Sequence, residues 1–337
     1  MKQGGFPERI WRRRPLRALV LIAALPLLAT ITWPAPPPPP PGPGEAIVLV
    51  SRVPFDAGDP SRRRTGSLHF LEGWSLASAD DRFGGISGLH VEDGAVTAIS
   101  DVGMVMRFPL PGARSRISVR FDPLLEGPGP RVRKNNRDSE ALLVAGERMW
   151  VLFERYNMVW RYDRRSLRAQ SAARPAGLRR WGGNRGGEAL ARLADGRFLV
   201  LVEGADDESP FSDAALVAGD PSVPGTAGIR LRYRRPAGFR ATDAALLPDG
   251  RVLILNRRFR LFEGVSARLV VAHPAGLGEG GTLEGREIAR LQAPLIVDNM
   301  EALAVTVENR RTLVWIASDD NFSPLQRTLL LKFELVE

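Results

Sequence analysis

At five places a hydroxyl or carboxylate side chain stands just before a short apolar run: Ser87, Glu140, Glu188, Asp243 and Glu301. A little further on in each case, a second apolar run ends in polar residues: Asp101, Glu154 with Arg155, Glu203, Asn256 with Arg257, and Asp319-Asp320-Asn321. Carboxylates gathered from separate stretches suit a hard cation, because Ca²⁺ takes six to eight oxygen ligands and Mg²⁺ six. The candidate metal ligands are therefore Glu140, Glu154, Glu188, Glu203, Asp243, Glu301, Asp319 and Asp320, with Ca²⁺ the expected ion. A cation held there would neutralise phosphate charge and activate water, while arginines grip phosphate oxygens in pairs. That nominates Glu301, Asp319, Arg155 and Arg257 as the catalytic set. The same recurrence is also what a structural role predicts, with each carboxylate tying backbone turns together, and Asp-Asp-Asn is ordinary turn chemistry. Ser87, in Gly-Ile-Ser-Gly-Leu, lacks the spacing and the following helix of a nucleophile elbow.

Other chemistries are excluded by composition. The 337 residues include no cysteine, which removes thiol nucleophiles, iron–sulfur clusters, Cys-ligated zinc and disulfides. Three histidines (His69, His90, His273) lie far apart with no ligand spacing, so a metal would be held by oxygen. The glycine pairs Gly84-Gly85 and Gly182 to Gly187 are not followed by the lysine and helix of a phosphate loop.

The elements that must position these residues are strands. The units starting at Gly84, Asp138, Gly186, Ala241 and Asn299 share one pattern, a short apolar strand, a polar turn such as Asp-Gly, and a second β-rich strand. Their starts lie 54, 48, 55 and 58 residues apart, long enough for four strands each. The segments between them supply further strands, among them Met104 to Leu110, Arg116 to Phe121, Gly228 to Tyr233, Phe259 to Glu263 and Arg268 to Ala272. Such a period predicts an all-β, β-propeller-like fold of five or six four-stranded blades, in which matched positions converge around one axis. Strands at Ile47 to Val53 and Gly66 to Leu76 are placed to complete a closing blade with Arg327 to Leu335. Two β-sandwich domains are the competing architecture.

The formal charge of +9 suggests a polyanion until it is placed along the chain. Residues 1–17 hold six Lys/Arg and Glu8; removing them from 47 basic and 38 acidic residues leaves a net of +4. No aromatic platform interleaves the rest, so nucleic acid is not an expected partner. The basic stretch precedes an apolar run, Ala18 to Trp33, then a proline tract. That order predicts an export signal or uncleaved anchor over 1–33, a Pro-rich spacer over 34–44 and one propeller domain over 45–337 in the periplasm or outside the cell.

Several of these stretches carry a resemblance. Arg82-Phe83-Gly84-Gly85-Ile86-Ser87-Gly88-Leu89, Asp138-Ser139-Glu140-Ala141-Leu142, Asp298-Asn299-Met300-Glu301-Ala302-Leu303 and Ser318-Asp319-Asp320-Asn321-Phe322-Ser323, followed by Gln326 to Leu330, resemble the phytase-like domain of exported bacterial proteins, the family labelled esterase-like activity of phytase. The resemblance runs from about Ile47 to Leu335. It implies a secreted or periplasmic propeller named after calcium-dependent propeller phytases, acting on a small phosphorylated or ester substrate. Ala141 and Ala302 replace the glycine usual in its D-x-E-G motif. Beyond residue 45 the only lysines are Lys134 and Lys332, so phosphate clamping would fall to arginine. Two functions from different classes fit: a metal-assisted phosphoesterase or esterase, and a non-catalytic propeller that binds a ligand or envelope partner at its channel mouth.

Overall fold

The structure is a computed structural model that describes residues 42–130, 136–175, 177, 186–203 and 209–336. The export segment 1–33, most of the spacer and Lys134 lie outside the described residues. Among the described residues no helix is long and apolar enough to cross a membrane.

The described chain opens with β1 (Gly44–Arg52), β2 (Arg64–Thr65) and β3 (Leu68–Ala77). Blade one is the meander β4 (Ile86–Glu92), β5 (Ala95–Ser100), β6 (Met104–Pro109) and β7 (Arg116–Pro123). Blade two is β8 (Ser139–Ala145), β9 (Arg148–Phe153), β10 (Met158–Asp163) and β11 (Ala169–Ala173). Blade three is β12 (Gly187–Arg192), β13 (Phe198–Val202), β14 (Phe211–Val217) and β15 (Gly228–Arg234). Blade four is β16 (Arg240–Leu246), β17 (Val252–Arg260), β18 (Gly264–Ala272) and, after the short β19 (Thr282–Leu283) that pairs with β15, β20 (Gly285–Leu291). The last three strands, β21 (Met300–Glu308), β22 (Arg311–Ser318) and β23 (Thr328–Leu335), take β3 as their fourth.

An N-terminal strand thus completes the C-terminal blade. Between β3 and β7 runs β1, paired to both, which joins blades five and one edge to edge. The innermost strands pack in the closed order β4, β8, β12, β16, β21 and back to β4. Five apolar clusters fill the five gaps, each drawn from two neighbouring blades; Leu152 and Val200 meet between blades two and three, Leu255 and Ile316 between four and five. The expected five or six blades resolve to five. Burial on both faces explains why the second strands read as unbroken apolar runs, such as Phe198–Val202 with every residue buried.

One expected strand falls differently. Phe259 and Arg260 prolong β17, and Leu261 to Glu263 form the turn into β18, so Phe259 to Glu263 is a hairpin tip rather than a strand of its own.

Candidate functional site

Each innermost strand slips register by one residue against its partner close to where it begins. The skipped residues are Ser87 in β4, Glu140 in β8, Glu188 in β12, Thr242 in β16 and Glu301 in β21. A bulge of this kind leaves the extra residue outside the ladder and re-aims its side chain. Repeated round the ring, it brings Glu140, Glu188 and Glu301 close enough at one end of the channel to sense one another's charge, while Ser87 and Thr242 donate to the Ser139 and Met300 carbonyls of the next innermost strand.

In blade four the bulge presents Thr242, one residue before Asp243, the position that aligns in the sequence repeat. Asp243 is buried with both oxygens engaged: Oδ1 accepts from the Ala244 N–H at 2.8 Å and Oδ2 from the Leu303 N–H at 2.7 Å, strapping β16 to β21. Burial pushes its pKa up, and the two N–H donors oppose that. Asp243→Asn is expected to cost about 1–3 kcal/mol, because one N–H then meets an amide that cannot accept as well. Urea unfolding checks this, and its response to Ca²⁺ should match wild type.

A second ring follows the second strand of each blade: Asp101, Glu154, Glu203, Arg257 and Asp319. Four share one backbone bond, the N–H reaching the carbonyl just before the inner strand: Asp101 to Gly85 (2.9 Å), Glu154 to Asp138 (3.1 Å), Glu203 to Gly186 (3.4 Å) and Asp319 to Asn299 (2.9 Å). Arg257 holds the fifth place opposite Arg240. Glycine is required at two of these positions. A Cβ on Gly186 would lie 1.9 Å from Glu154 Cγ, and Gly85, at φ +63°, would put one 2.7 Å from Asp101 Oδ1.

Beneath the bulges, two residues on, lie Leu89, Leu142, Leu190, Ala244 and Leu303, which line a cavity of about 300 Å³ in the other half of the channel. The acids at the bulges titrate as buried groups. Burial raises Glu140 well above the carboxylate range, with help from Glu188, Glu301, Asp138 and Glu154. Glu188 is raised in the same way by burial, then by Glu203 and Glu154. Burial and Asp138 push Glu154 up to about 7. Asp319 reaches about 8 through burial and Glu301, although the Asn321 N–H donates to its Oδ1 at 2.6 Å. Burial raises Glu301 too, against the pull of Arg257 and of the Asn299 amide, which donates to Oε1 at 2.9 Å.

Cationic partners are few. Arg257 Nη2 lies 3.1 Å from Glu301, Arg240 Nη1 2.9 Å from Glu203 and Arg155 Nε 3.4 Å from Asp138. Asp320 is otherwise employed: Oδ1 accepts from the N–H groups of Gly85 (2.9 Å) and Phe322 (3.0 Å) and Oδ2 from the Thr328 hydroxyl (2.7 Å), which ties blade five to blade one. The Ser87 hydroxyl donates to the Ser139 carbonyl at 2.5 Å, a link between blades one and two.

One group stands out. Oxygens of Asp138, Glu140 and Glu154 all lie within 4.8 Å of one another. Oxygens on opposite sides of a Ca²⁺ ion are separated by about 4.6–5.2 Å, twice its bond length, so this all-oxygen set can share one such ion. Glu140 and Glu154 belong to the sequence-derived ligands. Asp138 does not; its signal was its place before Ser139-Glu140, visible only once the Glu154 N–H is seen to fold back on it. A surface cleft of about 1280 Å³ lies elsewhere, beside blades one and two. Its charges pair off, with Arg107 and Arg120 on Asp122 and Arg165 on Glu147.

The model of the phytase-like family, described as esterase-like activity of phytase, matches residues 81–322, a span that holds both rings. The chain belongs to this phytase-like family. No curated protein matches it. Among solved structures it is similar to the α-L-arabinofuranosidase PaAbf62A from Podospora anserina in complex with cellotriose, at 12% identity and TM-score 0.48 over 80% of this chain and 97% of that one. It is also similar to the β-propeller domain of Cps50 (Swd1) from Myceliophteria thermophila, at 12% identity and TM-score 0.37 over 79% and 77%. Within the phytase-like chain the family match begins just before Arg82 and ends at Phe322, so it takes in Asp101, Asp138, Glu140, Glu154, Glu188, Glu203, Glu301 and Asp319.

Proposed function

We propose that this phytase-like protein is a calcium-dependent hydrolase of small phosphate or carboxylic esters, working at the acidic end of the propeller channel. The observation that carries it is the convergence of Asp138, Glu140 and Glu154 on one ion-sized space inside two rings of carboxylates with few cations. A Ca²⁺ ion held by those three residues would supply charge neutralisation and Lewis-acid polarisation of an ester oxygen.

The chain's own residues supply the rest. Arg257, fixed by Glu301, and Arg155, fixed by Asp138, offer guanidinium donors to the substrate's anionic oxygens. Asp319, with a pKa near 8, keeps its proton at neutral pH and can donate it to a leaving alkoxide. Glu154, near 7 without an ion, would ionise on binding Ca²⁺ and, giving one oxygen to the ion, leave the other to accept a hydrogen bond from attacking water.

The test is turnover of aryl phosphates and aryl esters by the purified protein in EDTA and in Ca²⁺. The expected outcome is activity on one class that EDTA abolishes and Ca²⁺ restores, with Arg257→Ala lowering kcat/KM by roughly 100-fold. Absence of turnover on both classes with Ca²⁺ present would instead leave the non-catalytic propeller that binds a ligand.

A further inference from the structure

Ten large apolar side chains stand exposed among the described residues, and they divide unevenly between the two ends of the propeller. Past Arg257, β17 and β18 continue through the pairs Arg258↔Ser266, Phe259↔Val265 and Arg260↔Gly264. The hairpin therefore projects beyond the carboxylate rings, and at its tip Phe259, Leu261 and Phe262 are 62%, 78% and 97% exposed. On blade five the loop between β22 and β23 carries Phe322 and Leu325, the latter 93% exposed. Leu125 follows β7, whose end pairs with the start of β6 at this same end. The far end has only Val223 and Val307, and Ile47 and Leu49 lie on the outer strand β1.

Apolar tips held in water on this scale mark a contact surface. Their setting suits a lipid interface, where aromatic and aliphatic side chains enter the acyl boundary while arginine reaches back to headgroup phosphates. Arg258 and Arg260 share a single carboxylate, Glu263, at 2.5 and 3.5 Å, which leaves the tip one positive charge in excess; Arg258 is stacked over Phe239, and Arg260, 57% exposed, is the one placed to meet a headgroup.

The path of the chain points the same way. β1 pairs antiparallel with β7 from Gly44↔Phe121 onward, so it begins at the acidic end, where Arg82 Nη1 donates to the Gly42 carbonyl at 3.4 Å. Ten residues, 34–43, separate Trp33, the end of the apolar run, from β1. A chain of that length spans at most about 36 Å in any conformation. An apolar run retained in a membrane would hold the propeller close to it, by this end.

We propose that the acidic end of the propeller docks on a lipid bilayer bearing anionic headgroups, with Phe259, Leu261, Phe262 and Leu325 entering the interface. The channel mouth then opens onto the headgroup layer. This goes beyond the hydrolase reading and does not depend on it, since docking is measured without turnover.

The absence of cysteine allows a direct test on the full chain. Phe262→Cys and Val223→Cys each create one attachment point for an environment-sensitive fluorophore, at opposite ends and both on exposed side chains. With vesicles of phosphatidylcholine and phosphatidylglycerol, the label at 262 is expected to shift to the blue and to be quenched by brominated lipid. The label at 223 is expected to stay as in water, and the response at 262 to weaken on phosphatidylcholine alone. The proposal is overturned if the full chain fails to sediment with the mixed vesicles, or if it sediments and the two labels behave alike. It is equally overturned if the label at 262 shifts with protein concentration in the absence of lipid, which would make the tip a contact between copies, or if phosphatidylcholine alone gives the full response.

Discussion

In a calcium titration followed by thermal unfolding, the wild-type protein is expected to gain roughly 5–10 °C in Tm. An ion that binds only the native state stabilises it by about 2.7 kcal/mol at a hundredfold excess over Kd, and each kcal/mol moves the Tm of a domain this large by about 2–4 °C. The double variant Glu140→Gln/Glu154→Gln should lose that response. In EDTA its Tm should equal or exceed that of wild type, because each amide removes a carboxylate whose ionisation is opposed by burial and by acidic neighbours. Carboxylates that only tied turns together would give the reverse, a lower Tm in EDTA and the same response to Ca²⁺ as wild type. Differential scanning calorimetry of both proteins, with and without Ca²⁺, separates the two.

The second large effect is on pH dependence. Glu154 and Asp319 titrate near 7 and 8 in the folded protein, and Glu140, Glu188 and Glu301 are also raised. All five would ionise near 4 once unfolded. Between those values the folded state binds more protons than the unfolded state, so stability must fall as pH rises. In EDTA the stability from urea unfolding is expected to be highest near pH 5 and to drop through pH 8. The loss should be on the order of 1–3 kcal/mol, a figure discounted because Glu154 keeps contact with water. Saturating Ca²⁺ favours the ionised carboxylates and should flatten or reverse the slope. A stability that rises with pH in EDTA would mean the carboxylates are already matched by cations, and the ion site would go with it.

The repeat period and the turn signals were enough to read a propeller, because the second strand of each blade is buried on both faces and each blade must solve the same packing problem. The closing strand β3 was legible for the same reason, since an apolar strand without a partner of its own precedes the first repeat. Blade number was less so: β11 and β20 are outer strands, short or charged, and carry little apolar signal. Glu140, Glu188 and Glu301 occupy matched places because each sits on the bulge itself. Asp243 aligns with them in sequence, yet the slip of β16 falls one residue earlier, at Thr242, and a one-residue register change moves a side chain to the other face of a strand. No composition signal marks that slip. Asp319 and Asp320 show the same limit, as neighbours of one type of which one lines the channel and the other binds three donors across the closure. Asp138 joins Glu140 and Glu154 through a backbone turn, so pattern alone could not group them.

The most direct test of the account is an anomalous difference map from crystals grown with a lanthanide in place of Ca²⁺. One dominant peak is expected at the acidic end of the channel, within about 2.3–2.6 Å of carboxylate oxygens of Asp138, Glu140 and Glu154. A channel without a peak, with lanthanide bound only at surface acids such as Asp195 or Glu279, would contradict it.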